Sequence, residues 1–226
     1  MCVGIAFWLD KEITLSNALS LFILCGFAFV SYLCGIISVN FSKHNYTTIE
    51  NQAEQNDRLM DNVRRDQMTG LYNHSAFIDQ LDEMISVYLN GEPLCLAMID
   101  VDDFKGINDT FGHDCGDTVL IRLAKIIQKH CGKKDVAYRY GGEEFAVVFR
   151  GREEKEACAV VRNMLAEFRA CKFDFTAASL TFSAGVAEFA QGTTRDMLFE
   201  AADKTLYIAK REGKNRVLSY LADDNR

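Results

Sequence analysis

Proline occurs once and histidine four times in 226 residues. So little proline argues against a proline-rich linker or a long disordered tail. No CxxC pair is present, which with so few histidines argues against a structural zinc site. The eight cysteines lack the paired spacing of a disulfide scaffold. Cys2, Cys25 and Cys34 lie in an apolar N-terminus; Cys95, Cys115, Cys131, Cys158 and Cys171 read as reduced small hydrophobes of a cytosolic domain. Basic charge is also in deficit: Lys+Arg 25 against Asp+Glu 32 leaves a net charge of −7, so nucleic acid is not an expected partner. Internal repeats and low-complexity tracts are absent. The length suits one ordinary domain plus an appendage.

Hydrophobic residues make up 49% of the chain, and the excess is gathered at one end. Ile13 to Ser42 carries no charge, and Leu19 to Val39 is nearly all apolar. A helix crossing the hydrocarbon core needs about 20 such residues. Residues 1–42 are therefore predicted to be a membrane segment with a single transmembrane helix at about 15–41. A cleavable signal peptide fits poorly, because Asp10 and Glu12 spoil a basic start and no small-x-small cleavage site follows. Lys43, Arg58, Arg64 and Arg65 after the span, against Lys11 before it, place the C-terminal part in the cytoplasm.

Residues 43–65 read as a polar helical stalk. Ile49, Ala53, Asn56, Met60 and Val63 are spaced 4, 3, 4, 3, a short heptad seam with Asn56 at a core position that favours two strands. A solvated single helix fits the same residues. From Asp66 the pattern becomes α/β. Helices are predicted over Ala76–Leu89, Thr118–His130, Glu153–Cys171 and Met197–Arg211. Strands are predicted over Leu94–Val101, Val136–Tyr140, Glu144–Phe149, Leu180–Phe189 and Arg216–Tyr220. The expected fold is a central mixed sheet flanked by helices.

Two acidic clusters carry the chemistry. Strand Leu94–Val101 runs into Asp100-Val101-Asp102-Asp103-Phe104-Lys105, hard oxygen ligands followed by a lysine, as a divalent cation with a polyphosphate requires. The second is Arg139-Tyr140-Gly141-Gly142-Glu143-Glu144-Phe145, read as a two-residue hairpin turn at Gly141-Gly142. Glycines there let backbone approach a ligand closely, with two carboxylates beside it. Asn108-Asp109 alone reads as a helix cap or turn.

Gly141 to Phe145 resembles the GGDEF/GGEEF signature of diguanylate cyclases, which make cyclic di-GMP from two GTP molecules. Asp66-Gln67-Met68-Thr69-Gly70-Leu71-Tyr72-Asn73 is similar to the family's opening motif, with His74-Ser75 where a basic pair is usual. Asp100 to Asp109, then Gly112 to Asp117, follows its long second motif. Ala202 to Lys210, then Gly213-Lys214-Asn215-Arg216, matches its C-terminal motif. The resemblance covers residues 66–221, leaving 222–226 as a tail, and implies the palm-like nucleotide-cyclase fold.

It also implies roles. Asp100, Glu143 and the Val101 carbonyl would hold magnesium or manganese against the GTP phosphates, with Glu144 assisting. Glu143 would double as general base for the attacking 3′-hydroxyl, and Lys105 would neutralise charge on the α-phosphate. Asp103 and Phe104 would offer backbone N–H groups to the terminal phosphates, helped by Lys210 and by Lys214, the latter standing where an arginine is commoner. Asn108, His113 and Asp117 would form the purine end, where a carboxylate accepts from guanine but faces a lone pair on adenine. Asp203 and Tyr207 read as structural parts of the last helix. Many members carry a product-inhibition site, Arg-x-x-Asp, five residues before the signature. Here Asp135 holds the Asp place but Gly132 stands in the Arg place, so that site is degenerate.

The implied protein is a homodimeric, single-pass enzyme of the bacterial inner membrane, with GTP as substrate. Its signal would be sensed in the membrane or supplied by a membrane or periplasmic partner. The competing readings are a catalytically inactive module that binds GTP or cyclic di-GMP, and a cyclase acting within one nucleotide.

Overall fold

The computed structural model describes residues 17–44, 61, 63–87, 91–190 and 192–220. The chain divides into two units, Met1–Met60 and Asp61–Arg226. In the first, helix α1 (Asn17–His44) has 28 residues and contains an 18-residue stretch with a mean hydropathy of 2.3, none of it buried. At about 1.5 Å per residue it is some 40 Å long, more than the hydrocarbon thickness of about 30 Å. Of the predicted heptad seam, Ile49, Ala53, Asn56 and Met60 lie outside the described residues, and Val63 is exposed.

The second unit follows the order α2 (His74–Val87), β1 (Leu94–Val101), α3 (Phe104–Phe111), α4 (His113–His130), β2 (Val136–Arg139), β3 (Glu144–Arg150), α5 (Glu154–Ala170), β4 (Phe182–Glu188), α6 (Arg195–Arg211) and β5 (Val217–Ser219). The five strands form one sheet ordered β2-β3-β1-β4-β5. Only β4 and β5 run parallel; the other neighbours are antiparallel. The expected mixed sheet between helices is what the chain adopts.

Strand periodicity explains the two cores. Cys95, Ala97, Ile99 and Val101 of β1 join Ile107, Leu123, Ile127, Val161 and Phe168 on one face. Leu94, Leu96 and Met98 join Phe77, Leu81, Leu198 and Leu206 on the other. Because β1 is central and buried on both faces, it reads as a continuous apolar run rather than an alternating one. The same alternation turns Asp100 toward the face that carries α6. At Gly185 of β4 an added Cβ would overlap the Leu206 amide and the Ala202 carbonyl, so α6 lies backbone against backbone on the sheet.

Two sequence expectations need correction. Helix α3 is absent from the pattern reading because it is only eight residues, includes Gly106 and Asn108, and lacks a side-chain cap. Gly112, at φ 86°, breaks it from α4, which begins five residues before the predicted Thr118. The other elements of the second unit match their predicted ranges to within two residues, the ±1–2 scatter of helix ends included, and α1 ends three residues beyond its predicted end at about 41. The seven cysteines among the described residues are free, as expected. Burial pushes the Cys158 thiol up to about 11 and that of Cys131 to about 12.

Candidate active site

The tips of β1 and β3 meet in register. Asp100 lies opposite Glu144, and the Val101 amide donates to the Glu143 carbonyl at 3.4 Å. The two-residue turn expected at Gly141-Gly142 is instead a four-residue loop between Arg139 and Glu144. Tyr140 and Gly141 both donate their amides to the Glu144 carbonyl, at 2.8 and 3.1 Å. Neither glycine has a positive φ. Their value is room: a Cβ on Gly141 would sit 2.6 Å from Glu144 Oε2, and nothing lies within 4 Å of where one would stand on Gly142.

Asp100 is 4% exposed and meets Lys210 of α6, Nζ to Oδ2 at 2.8 Å. Burial pushes the Asp100 carboxyl above its usual range; Lys210 opposes that shift and the charge of Asp102 adds to it. Burial also raises Glu143 and Glu144, each pushed further by the charge of Asp100. Three acids therefore share a pocket with too little positive charge to hold them all ionised comfortably. Asp203 and Tyr207, read as structural parts of the last helix, lie on α6 with both side chains exposed, and the Asp203 charge adds to the rise at Glu144.

The β1–α3 turn puts Asp103 in the left-handed region, φ 56° and ψ 30°. The first intrahelical bond of α3 runs from the Ile107 amide to the Asp103 carbonyl at 3.1 Å, so the amides at the head of the helix point along its axis, beyond its N-terminal end, without intrahelical partners. Lys214 and Asn215 are also left-handed, at φ 61° and 52°, and Lys214 Nζ pairs with Asp103 Oδ1. Phe104 is buried and Lys105 exposed on α3.

Asp102, counted among the acids of the strand tip but given no role by the family resemblance, holds these turns together. Its buried carboxylate accepts from Thr181 Oγ1 at 2.6 Å, Ser183 Oγ at 2.7 Å and the Asn215 amide at 2.9 Å. Strand β4 and the α6–β5 turn are thereby tied to the end of β1. Arg139 makes a second tie, donating to Asp66 at 3.0 Å and to the Gly142 carbonyl at 2.8 Å.

On the far side of α3, Asn108 packs against Gly116 of α4. His113 and Asp117 lie one helical turn apart on α4, His113 exposed and Asp117 half-buried. The fold thus gathers Asp100, Asp103, Glu143, Glu144, Lys210 and Lys214 at one end. It sets Asn108 beside the first two turns of α4, which bear His113 and Asp117.

Asp135 stands apart, at the opposite end of β2 from the hairpin tip. Its side chain is 2% exposed and accepts from Arg152 Nη2 at 3.0 Å and from the Gly132 amide at 2.7 Å. A Cβ on Gly132 would come within 2.9 Å of Arg152 Nη2. An arginine from the β3–α5 connection therefore fills the place left empty by glycine. Sequence spacing gave no sign of that pairing, because Arg152 lies 17 residues downstream.

Residues 63–216 match the family described as "Diguanylate cyclase, GGDEF domain". The chain belongs to that family. It is 37% identical over 155 residues to diguanylate cyclase DgcP of Pseudomonas aeruginosa, covering 67% of this chain and 23% of the relative. Diguanylate cyclase A of Treponema denticola is 35% identical over 193 residues, covering 80% of this chain and 52% of the relative. The chain thus spans about half or less of these curated relatives. Among solved structures, the coiled coil and GGDEF domain of DgcB from Caulobacter crescentus, in complex with c-di-GMP, is 32% identical with a TM-score of 0.71, covering 77% of this chain and 95% of that one. The active GGEEF domain of a diguanylate cyclase from Vibrio cholerae is 31% identical with a TM-score of 0.63, covering 66% and 96%.

Proposed function

We propose that this GGDEF protein is a catalytically active diguanylate cyclase, condensing two GTP into cyclic di-GMP with release of two pyrophosphates. The observation that carries the proposal is the in-register meeting of Asp100 with Glu144, beside Glu143 and against Lys210. Both acidic motifs are intact and converge, as a phosphoryl-transfer site requires.

The donor set is all hard oxygen. That suits magnesium, which is commonly held by one or two carboxylates and completed by substrate phosphates. Asp100, the Val101 carbonyl and Glu143 would hold magnesium or manganese, with Glu144 beside them. The bound ion would neutralise charge on the transferring phosphate.

The chain's own residues do the rest. Amides of Asp103 and Phe104, with Lys210 and Lys214, bind the terminal phosphates. Asn108, His113 and Asp117 receive the guanine, the Asp117 carboxylate selecting against adenine. Glu143 takes the proton of one nucleotide's 3′-hydroxyl, whose oxygen bonds to the α-phosphorus of the nucleotide on a second chain. The bond from that phosphorus to the bridging oxygen breaks and pyrophosphate leaves, with Lys105 stabilising the charge that develops. Two such transfers close the ring, so one active site needs two chains. We place the domain of residues 66–221 in the cytoplasm behind a single membrane span and the stalk of residues 43–65, a reading supported by the length and apolarity of α1.

Mass spectrometry of products from GTP and magnesium tests this directly. Cyclic di-GMP is the expected product; binding of GTP without turnover would establish the inactive module, and a cyclic mononucleotide the single-nucleotide cyclase.

A further inference from the structure

Gly116 occupies the first turn of α4, buried, with a φ that any residue can adopt. Helical glycine is a liability there, and alanine would favour the helix. No turn demands it. The requirement is steric: a Cβ at this position would overlap Asn108 Oδ1 and lie 3.0 Å from Asn108 Cγ and 3.1 Å from Phe104 Cζ. Asn108 and Phe104 are one turn apart on α3, so Gly116 is where the two helices touch. Asn108 Oδ1 is also the one buried side-chain polar atom without a hydrogen-bond partner among the described residues. It rests where the Gly116 side chain would begin, against a Cα–H that can serve it only weakly. A buried acceptor so poorly satisfied needs an explanation.

We propose that Gly116 is a specificity-determining residue: the side chain it lacks is the seat of the Asn108 carboxamide, and this seat sets the shape of the purine end of the site. The inference rests on the nucleotide reading above and extends it to a residue that touches no substrate. A methyl group at 116 drives the carboxamide out of its seat. Because Asn108 swings from α3 by only two rotatable bonds, its amide then leaves the position from which it meets the base. Of the phosphate end, Asp100, Lys210 and Lys214 stand on other segments, while Asp103 and Phe104 offer only backbone amides at the head of α3, a turn away from Asn108; the Phe104 ring, whose Cζ would lie 3.1 Å from the new methyl, gives by a few tenths of an ångström without moving them. Gly116 therefore governs affinity for the base of a purine nucleoside triphosphate and leaves affinity for the polyphosphate alone.

The test uses the full chain in detergent micelles with magnesium. Binding of a non-hydrolysable GTP analogue and of inorganic tripolyphosphate is measured for wild type, G116A, N108A and the double variant. G116A is expected to weaken the analogue by on the order of tenfold, as for one lost hydrogen-bonded contact, and to leave tripolyphosphate unchanged. In the N108A background the second change should cost nothing further, and the melting temperature should rise, because only the helix gain remains. Binding by G116A within about twofold of wild type, or equal weakening with and without Asn108, would overturn the assignment. Should G116A fail to fold, a folded double variant still locates the clash at Asn108; an unfolded one overturns it. A wild-type chain that binds tripolyphosphate but not the GTP analogue overturns the nucleotide reading itself, and this inference with it.

Discussion

Arg139 spans from Asp66 to the hairpin: its Nη1 donates to the Asp66 carboxylate at 3.0 Å while Nη2 donates to the Gly142 carbonyl at 2.8 Å. One guanidinium thus ties the first turn of the domain to the loop that carries Glu143. Its geometry suits the planar fork of arginine and not the point charge of lysine. Arg139→Lys should keep the charge but lose one of the two ties. It should lower turnover more than it lowers the melting temperature, while Arg139→Ala should cost about 1–3 kcal/mol in stability by removing the charged partner of Asp66, whose carboxylate then keeps only its bonds from Thr69. Denaturant melts and initial rates on the same preparations check this; unchanged turnover in both variants would remove Arg139 from hairpin positioning.

The same pair predicts an acid limb. Burial pushes the Asp66 carboxyl up, but hydrogen bonds from Thr69 and the charge of Arg139 more than reverse this and leave it below its ordinary value of 3.8. A carboxyl depressed in the folded state adds stability that is fully present above 3.8 and is lost as pH falls through the folded value. Asp66→Asn should therefore lower stability at neutral pH, and the wild-type and variant curves should converge as the pH falls below 3.8 and through the lowered folded value. Parallel curves across that range would contradict the ion pair's role.

Glu143→Gln is nearly isosteric and lies in the hairpin loop, so the fold should survive. Loss of cyclic di-GMP synthesis by at least about a hundredfold is expected, since a general base alone is worth that much. Activity above roughly a tenth of wild type would exclude Glu143 as the base.

Assembly is tested by concentration. Turnover per chain of a fragment starting at Asp66 should rise with protein concentration, because it lacks the stalk and span that raise the effective concentration of a second chain. Restoring Lys43–Arg65 should shift the curve to lower concentration. Identical rates per chain for both across the range would refute the stalk's part in dimerisation.

Feedback should be absent. Asp135 is sealed within its pair with Arg152, and Gly132 offers a ligand nothing but backbone. Lys134, which could have supplied charge nearby, is paired with Glu92 at 3.2 Å. Initial rates at fixed GTP should be insensitive to cyclic di-GMP from nanomolar to tens of micromolar. Strong non-competitive inhibition abolished by Asp135→Ala would show that the site works without its arginine.

What the amino-acid sequence by itself determined was local and periodic. The apolar run of β1 ending in acid, the helical spacing of α4 to α6 and the charge-free stretch of α1 are each consequences of how one segment partitions between water and an apolar environment. The acidic motifs were legible as well, because their residues are neighbours in the chain. The tertiary structure decided what depends on distant segments meeting. Asp102 becomes a clamp only when β4 and the α6–β5 turn arrive with three donors. Gly116 becomes more than a helix breaker only when α3 lays Asn108 across it. Arg152 reaches Asp135 only because β2 and β3 pair antiparallel, bringing the start of one strand beside the end of the other. Such contacts have no period and no fixed spacing, so no reading along the chain contains them; they arise when packing brings side chains together from opposite ends of a strand or from separate helices.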